Sequence, residues 1–226
     1  MSKRAKYEMK PFTVLVEGNI GSGKTTFLNY FKKYENVCVM AEPIDMWRNC
    51  GGHNLLEYMY EDRERWGFTF QSYVQLTMLK QHTLKTRLPI KLMERSIYSA
   101  RYCFVEKMHR DGILPSPSAS VINEWFKWTI ANVDTSVDLI IYLRTTPDVV
   151  YQRMQERNRK EEKTVSLTYL TEMHEMHENW LYHKTMFTCP APVLVLNADL
   201  DKSVIAEEYE RVEPHIFSNC LSVLAS

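Results

Sequence analysis

The sequence lacks a surplus of charge, a disulfide framework, a metal-binding cysteine pair and an apolar run long enough to cross a membrane. Lys plus Arg and Asp plus Glu each number 28. Formal net charge is therefore zero, and whole-chain electrostatics favour neither nucleic acid nor an acidic membrane. The five cysteines are Cys38, Cys50, Cys103, Cys189 and Cys220, an odd number with no C-x-x-C. That excludes a zinc site of the usual spacing and points to a reducing compartment. Cys38 and Cys103 sit among apolar residues and read as buried thiols. No apolar run approaches ~18 residues, which excludes a membrane-spanning helix. The first ten residues include Lys3, Arg4, Lys6 and Lys10 but no apolar signal core. They are too short for a typical organelle presequence, and Lys3-Arg4 is too little for a nuclear signal. There is no internal repeat and no low-complexity tract.

What the sequence has is a phosphate-binding loop. Gly18-Asn19-Ile20-Gly21-Ser22-Gly23-Lys24-Thr25-Thr26 fits G-x-x-x-x-G-K-[ST]. The β-rich run Phe12–Val16 precedes it, and Phe27, Leu28, Tyr30 and Phe31 follow at helical spacing. Glycines let backbone N–H groups turn toward phosphate oxygens, and the helix start adds its partial positive charge. Lys24 can reach the β- and γ-phosphates, and Thr25 can ligate Mg²⁺.

The 226 residues suit one large α/β domain. It is expected to span 1–226, with tails over about 1–10 and 210–226. Five β-like runs are expected: Phe12–Val16, Val37–Met40, Ile90–Met93, Leu139–Leu143 and Val193–Leu196. Helical patterns separate them, which predicts a parallel sheet covered on both faces. Pro115-Ser116-Pro117-Ser118 is the clearest loop. Thr146, Pro147 and Asp148 read as N-cap, first turn and dipole partner of a further helix.

The strand ends concentrate the chemistry. The first strand is followed by the glycine loop, the second by Ala41-Glu42-Pro43, the third by Glu94-Arg95-Ser96 and the fourth by Arg144-Thr145-Thr146. In a parallel sheet these ends share one edge, where open α/β sheets bind ligands. Glu42, Glu94 and Arg95 are thereby expected beside the phosphate loop.

Two helical patterns admit two readings each. Gln71, Val74 and Met78 are spaced three and four apart and form one stripe. That stripe is either an ordinary core face or a base-reading face, with the amide pairing to a polar ring edge. Arg153 and Arg157 share a helix face, with Arg159 just beyond. They are either a phosphate clamp or part of a solvated helix that also carries Glu156, Lys160, Glu161, Glu162 and Lys163. His174 and His177 lie three apart with no third ligand evident. They read as residues of a packed or surface helix rather than a metal site, with Leu170, Met173 and Trp180 on its apolar face.

Taken together, Gly18–Thr26, Glu42-Pro43, Trp47-Arg48-Asn49, Gln71-Ser72-Tyr73, Glu94-Arg95-Ser96, Ser99-Ala100-Arg101-Tyr102, Tyr142-Leu143-Arg144 and the arginine-rich segment resemble the deoxyribonucleoside kinases. The likeness runs from about Phe12 to Tyr209. Glu94, where the deoxycytidine and deoxyguanosine enzymes carry Asp, favours the branch holding the insect multisubstrate enzymes and the mitochondrial thymidine kinases.

The resemblance implies a P-loop kinase fold, a five-stranded parallel sheet flanked by helices with a helical lid over about 153–163. It implies transfer of the γ-phosphoryl of ATP to the 5′-hydroxyl of a deoxyribonucleoside, with Mg²⁺, for nucleotide salvage. Thymidine and deoxycytidine are the expected substrates, with purine deoxynucleosides accepted more weakly. Glu42 is the expected general base, and Arg95, Lys24, Arg153, Arg157 and Arg159 stabilise the transferring phosphate. Thr25 and Glu94 hold the metal. Trp47, Met59, Phe70 and Phe104 wall the base beside Gln71, Val74 and Met78, and Ala100 leaves room. Tyr60 and Glu162 reach the sugar 3′-hydroxyl. A homodimer, feedback inhibition by a deoxynucleoside triphosphate, and a cytoplasmic, nuclear or mitochondrial location are also implied. An inactive kinase-like accessory subunit of a respiratory complex shares the resemblance. A kinase acting on a nucleoside monophosphate would need additional cationic groups that the sequence does not supply beyond the lid.

Overall fold

The computed structural model describes residues 10–201 and 204–224, the last six as backbone alone. The basic residues Lys3, Arg4 and Lys6, and the Cys220 side chain, lie outside the described residues.

Five parallel strands form the sheet: β1 (Phe12–Glu17), β2 (Val37–Met40), β3 (Ile90–Glu94), β4 (Leu139–Arg144) and β5 (Val193–Asn197). Their order is β2-β3-β1-β4-β5. Strand β1 is central and buried throughout, so its sequence is a continuous apolar run rather than an alternation. Its neighbours register Val16 against Glu94 on one side and Glu17 against Tyr142 on the other.

Alternation along the strands sends side chains to opposite faces. Val14, Val16, Leu92, Ile141 and Leu143 pack with Phe27, Phe31, Tyr209, Val212 and Ile216. Those partners come from α1 (Lys24–Phe31) and α10 (Ile205–Leu224). Leu15, Met93, Ile140 and Tyr142 face the other way, onto Phe70, Val74, Met78, Met173 and Trp180. Those residues come from α4 (Arg63–Thr83), α9 (Leu167–His177) and a π-helical turn after it, Glu178–Tyr182.

The remaining helices are α2 (Ile44–Arg48), α3 (Leu55–Glu61), α5 (Ile97–Ser99), α6 (Glu106–Arg110), α7 (Ser116–Asn132) and α8 (Pro147–Arg157). A π-helical turn, Ala100–Val105, joins α5 to α6, and a 3₁₀ turn, Lys160–Thr164, follows α8.

Three expectations differ from the structure. Pro115–Ser118 is not a loop: α7 begins at Ser116, with Pro117 in the first turn, where a missing N–H costs nothing. Residues 210–224 are not a tail but the body of α10, because Ile205, Tyr209, Val212 and Ile216 recur at helical spacing and bury against the sheet. Cys38 is only partly buried, whereas Cys103 is fully buried. Thr146 takes the N-cap position of α8 as expected, with Pro147 in the first turn, although its hydroxyl donates to Asp199 and makes no side-chain cap bond.

Candidate active site

The glycine loop turns at the end of β1. Gly18 has φ +147°, and a Cβ there would lie 2.7 Å from the Leu143 carbonyl oxygen. Gly21 has φ +80°, and a Cβ would lie 2.7 Å from the Val150 oxygen of α8. Only glycine fits both positions. Asn19 is buried and donates its amide to the Leu170 carbonyl at 2.8 Å, while its own carbonyl side-chain oxygen accepts from the Ile20 N–H. Asn19 and Gly18 therefore shape the loop from beneath. The cleft is lined instead by Gly21, Ser22, Gly23, Lys24, Thr25 and Thr26, with Ile20 facing a second, adjoining cleft.

Lys24 lies folded back into the loop, donating to the carbonyls of Gly18 at 3.2 Å and Asn19 at 2.7 Å. Burial and the nearby Arg95 charge lower its ammonium pKa to about 7, against the pull of Glu94, Glu42 and Glu17. Thr25 donates its hydroxyl to both Glu94 oxygens, at 3.0 and 3.2 Å. This pair offers hard oxygens only, which suits Mg²⁺. Among the described residues no group of three or more His, Cys, Asp or Glu could hold a metal alone. A magnesium ion here would take its other ligands from phosphate and water, its usual arrangement in kinase sites.

Arg95 begins the turn after β3 with φ +62°, a left-handed conformation unfavourable for a side chain of its size. Its Nε lies 3.0 Å from Glu42 Oε1. The N–H does not point along that line, and neither Nε nor Nη1 has a hydrogen-bond partner. The guanidinium sits over the Phe104 ring at 4.7 Å. It is a buried, fixed cation with donors to spare. The Glu42 side chain is 17% exposed. Burial pushes its carboxyl above the usual carboxylate range; Arg95 opposes this and Glu94 adds to it.

The adjoining cleft encloses about 1150 Å³, including its open mouth. Trp47, Met59, Tyr60, Phe70, Gln71, Val74, Met78, Ala100, Phe104 and Glu162 all line it, with Glu42, Glu94 and Arg95 at the end nearest the loop. The Gln71 stripe lines this cleft, and its Val74 and Met78 also belong to the buried core. Trp47 is fixed by its indole N–H donating to Thr77 at 2.9 Å. The Gln71 carbonyl oxygen is buried without a partner, and its amide nitrogen touches only the Met108 sulfur at 3.6 Å. A ligand edge would satisfy it.

The lid arginines divide. Arg157 donates to both Glu162 oxygens at 2.6 Å, and Arg159 reaches Glu162 Oε1 at 3.3 Å. Both line both clefts. Arg153 lines only the loop-side cleft and spends its terminal nitrogens on the carbonyls of Ala198 at 2.7 Å and Leu200 at 3.0 Å. Arg144, at the edge of β4, is paired with Glu178 at 2.8 Å and lines neither cleft.

Three further residues line the cleft without a sequence motif that gives them a role: Arg48, Arg63 and Met108. Arg48 binds Glu161 at 2.7 Å and closes the cleft from α2; its charge beside Trp47 was the available signal. Arg63 lies over the Tyr60 and Tyr169 rings. Met108 approaches Gln71 from 37 positions away, through a π-helical turn that no spacing rule anticipates.

Known proteins share much of this sequence. The deoxynucleoside kinase family model matches residues 14–221. Human mitochondrial thymidine kinase 2 is 48% identical over 209 residues, covering 92% of this chain and 79% of the relative. A probable deoxycytidine kinase of fowlpox virus is 37% identical, covering 83% and 79%. Chicken deoxycytidine kinase 2 is 33% identical, covering 87% and 86%.

Proposed function

The chain belongs to the deoxynucleoside kinase family, and from that premise and the site's geometry we infer that it transfers the γ-phosphoryl of ATP to the 5′-hydroxyl of thymidine and deoxycytidine, and of purine deoxynucleosides more weakly. The observation that carries this is the junction of the two clefts, which share Gly21, Lys24, Thr25, Glu94, Arg157 and Arg159, with Glu42 and Arg95 lining the adjoining cleft. A triphosphate on the loop and a nucleoside against Gln71 would meet there.

Phosphoryl transfer needs positioning and charge neutralisation more than covalent help from the protein. Glu42, with its raised carboxyl pKa, is suited to accept the 5′-hydroxyl proton as the new O–P bond forms. Arg95 presents unspent donors to the equatorial oxygens. Lys24 lies ready for the β- and γ-phosphates. Thr25 and Glu94 would hold Mg²⁺, which supplies charge neutralisation at the phosphates when bound. Arg157 and Arg159, gripping Glu162, would share that grip with phosphate oxygens, and Glu162 with Tyr60 would accept the sugar 3′-hydroxyl. Arg153 would act as the anchor of the lid helix.

Supporting observations extend to the partners. Val121, Trp125 and Trp128 of α7 and Leu76 of α4 are exposed apolar groups, which favours a homodimer packed through these helices. A deoxynucleoside triphosphate end product would span both clefts and inhibit. The described cysteines are all free, which suits a reducing compartment such as the cytoplasm. No helix among the described residues is long and apolar enough to cross a membrane. An inactive accessory subunit would have no chemical use for Glu42, Arg95, Lys24 and the Thr25–Glu94 pair together.

The test is transfer from labelled ATP, with Mg²⁺, to thymidine, deoxycytidine, deoxyadenosine and deoxyguanosine in parallel, with dTMP as a fifth acceptor. Pyrimidine monophosphates are expected to form fastest. Phosphorylation of dTMP alone would overturn the reading.

A further inference from the structure

One buried acid at the site has no part in the mechanism above. Glu17 ends β1, immediately before the glycine loop, and is fully buried. Alternation places it on the same sheet face as Leu15, toward α5 and the π-helical turn. Its Oε1 accepts from the Ser96 hydroxyl at 2.5 Å, while Oε2 is buried with no hydrogen-bond partner.

The Ser96 hydroxyl is fully committed. Its oxygen accepts from the Tyr98 N–H at 3.2 Å and the Ser99 N–H at 3.1 Å, capping α5. A hydroxyl has one proton and two acceptor positions, so with both lone pairs on the helix the proton goes to Glu17. The Ser99 side chain completes the box by accepting from the Ser96 N–H at 3.1 Å. The backbone repeats the link, because the Arg95 N–H donates to the Val16 carbonyl at 3.0 Å. Arg95 thus lies between two fastenings to the end of β1, and this is where its backbone takes φ +62°. Backbone strain of this kind persists only where the surroundings over-determine it.

We propose that Glu17 is a positioning residue for phosphoryl transfer: through the Ser96 hydroxyl it fastens the start of the phosphate loop to the left-handed turn at Arg95, so that Lys24 and Arg95 keep one fixed spacing. The charge distribution agrees. Arg95 and Lys24 both act favourably on the buried Glu17 carboxyl, whose pKa burial nonetheless raises to about 7. The proposal rests on the kinase reading above and concerns the same site.

The experiment measures kcat and the thymidine KM for the full chain with ATP and Mg²⁺. The proteins are wild type, Glu17→Ala, Glu17→Gln, Ser96→Ala and the Glu17→Ala/Ser96→Ala double variant. Wild type is measured first; no transfer by folded wild type overturns the kinase reading and this inference with it. With wild type active, Glu17→Ala is expected to lower kcat about 30-fold or more, since small misplacements cost up to ~10²-fold, with the thymidine KM within about threefold. Glu17→Gln keeps an oxygen for the Ser96 proton and is expected to recover about tenfold of that loss. The double variant is expected within about threefold of the worse single variant, because both remove the same bond. A Glu17→Ala kcat within about threefold of wild type, or single losses that multiply in the double variant, overturns the proposal while leaving the kinase reading intact. If Glu17→Ala does not melt cooperatively, Ser96→Ala decides: about a tenfold kcat loss at unchanged KM supports the fastening, and wild-type kcat overturns it.

Discussion

Arg95 lies 3.0 Å from the Glu42 carboxylate, yet its Nε–H points elsewhere, so the pair is held by charge and not by a hydrogen bond. The guanidinium therefore keeps its donors for a third party while fixing the base. Lysine would retain the charge and lose the planar fork. Arg95→Lys is expected to lower kcat by roughly 10² or more, with ATP still protecting the fold in thermal melts. Steady-state kinetics check this; a kcat within a few-fold of wild type contradicts it.

Gln71 separates stability from function. Its carbonyl oxygen is buried and unpartnered, a cost of about 1–3 kcal/mol. Gln71→Met fills a similar volume without that burden. The variant is expected to melt at or above the wild-type temperature while kcat/KM for thymidine falls by roughly 10², because the ring edge then loses its hydrogen bonds. Calorimetry and kinetics on one preparation test both halves.

The lid arginines should behave differently from one another. Arg153 satisfies the Ala198 and Leu200 carbonyls, so Arg153→Met is expected to cost stability, about 1–3 kcal/mol, more than turnover. Arg159, on Glu162 and facing both clefts, should show the reverse: Arg159→Met lowers kcat about tenfold or more with little change in melting. Equal effects of the two on kcat would refute the division.

Two buried histidines make stability depend on pH. His82 accepts from the Ile97 N–H at 3.3 Å, and His177 donates Nδ1–H to the Met173 carbonyl at 2.7 Å. Burial first, then Lys91 for His82 and Arg95 for His177, lowers both from 6.5 to about 3. The unfolded chain takes up these protons below pH ~6.5 and the folded one does not. Their contribution is therefore fully present above pH ~6.5 and is lost as pH falls toward 3, at up to ~1.4 kcal/mol per pH unit for each group. Melting temperature should drop between pH 7 and 5. His177→Gln should flatten that drop; an unchanged slope contradicts the assignment.

Much of the fold was legible because parallel strands are short, apolar and punctuated. All five runs were visible, each extending one residue further at most, with Glu17, Glu94, Arg144 and Asn197 closing the strands. Val37–Met40 needed no extension. The gathering of Glu42, Glu94 and Arg95 at one edge followed from parallel topology alone. Helix α10 is not evident in the sequence, since its apolar face has meaning only against β1 and β3, which lie far earlier in the chain. Pro115 and Pro117 suggest a loop, although proline suits a helix start equally well. Asn19 and Arg153 sit in the expected motifs but spend their side chains on distant carbonyls. Met108 and the Glu17–Ser96 bond are tertiary relations, which no local spacing encodes.

Glu42 as the proton acceptor is central to the proposed transfer. The decisive measurement is a single-turnover comparison of wild type and Glu42→Gln with γ-labelled ATP, Mg²⁺ and thymidine. Glutamine preserves shape and removes the proton acceptor. Wild type is predicted to label dTMP, and the variant to do so roughly 10²–10⁴-fold more slowly while binding ATP within about threefold of wild type. Labelling of dTMP by the variant at the wild-type rate would contradict the account.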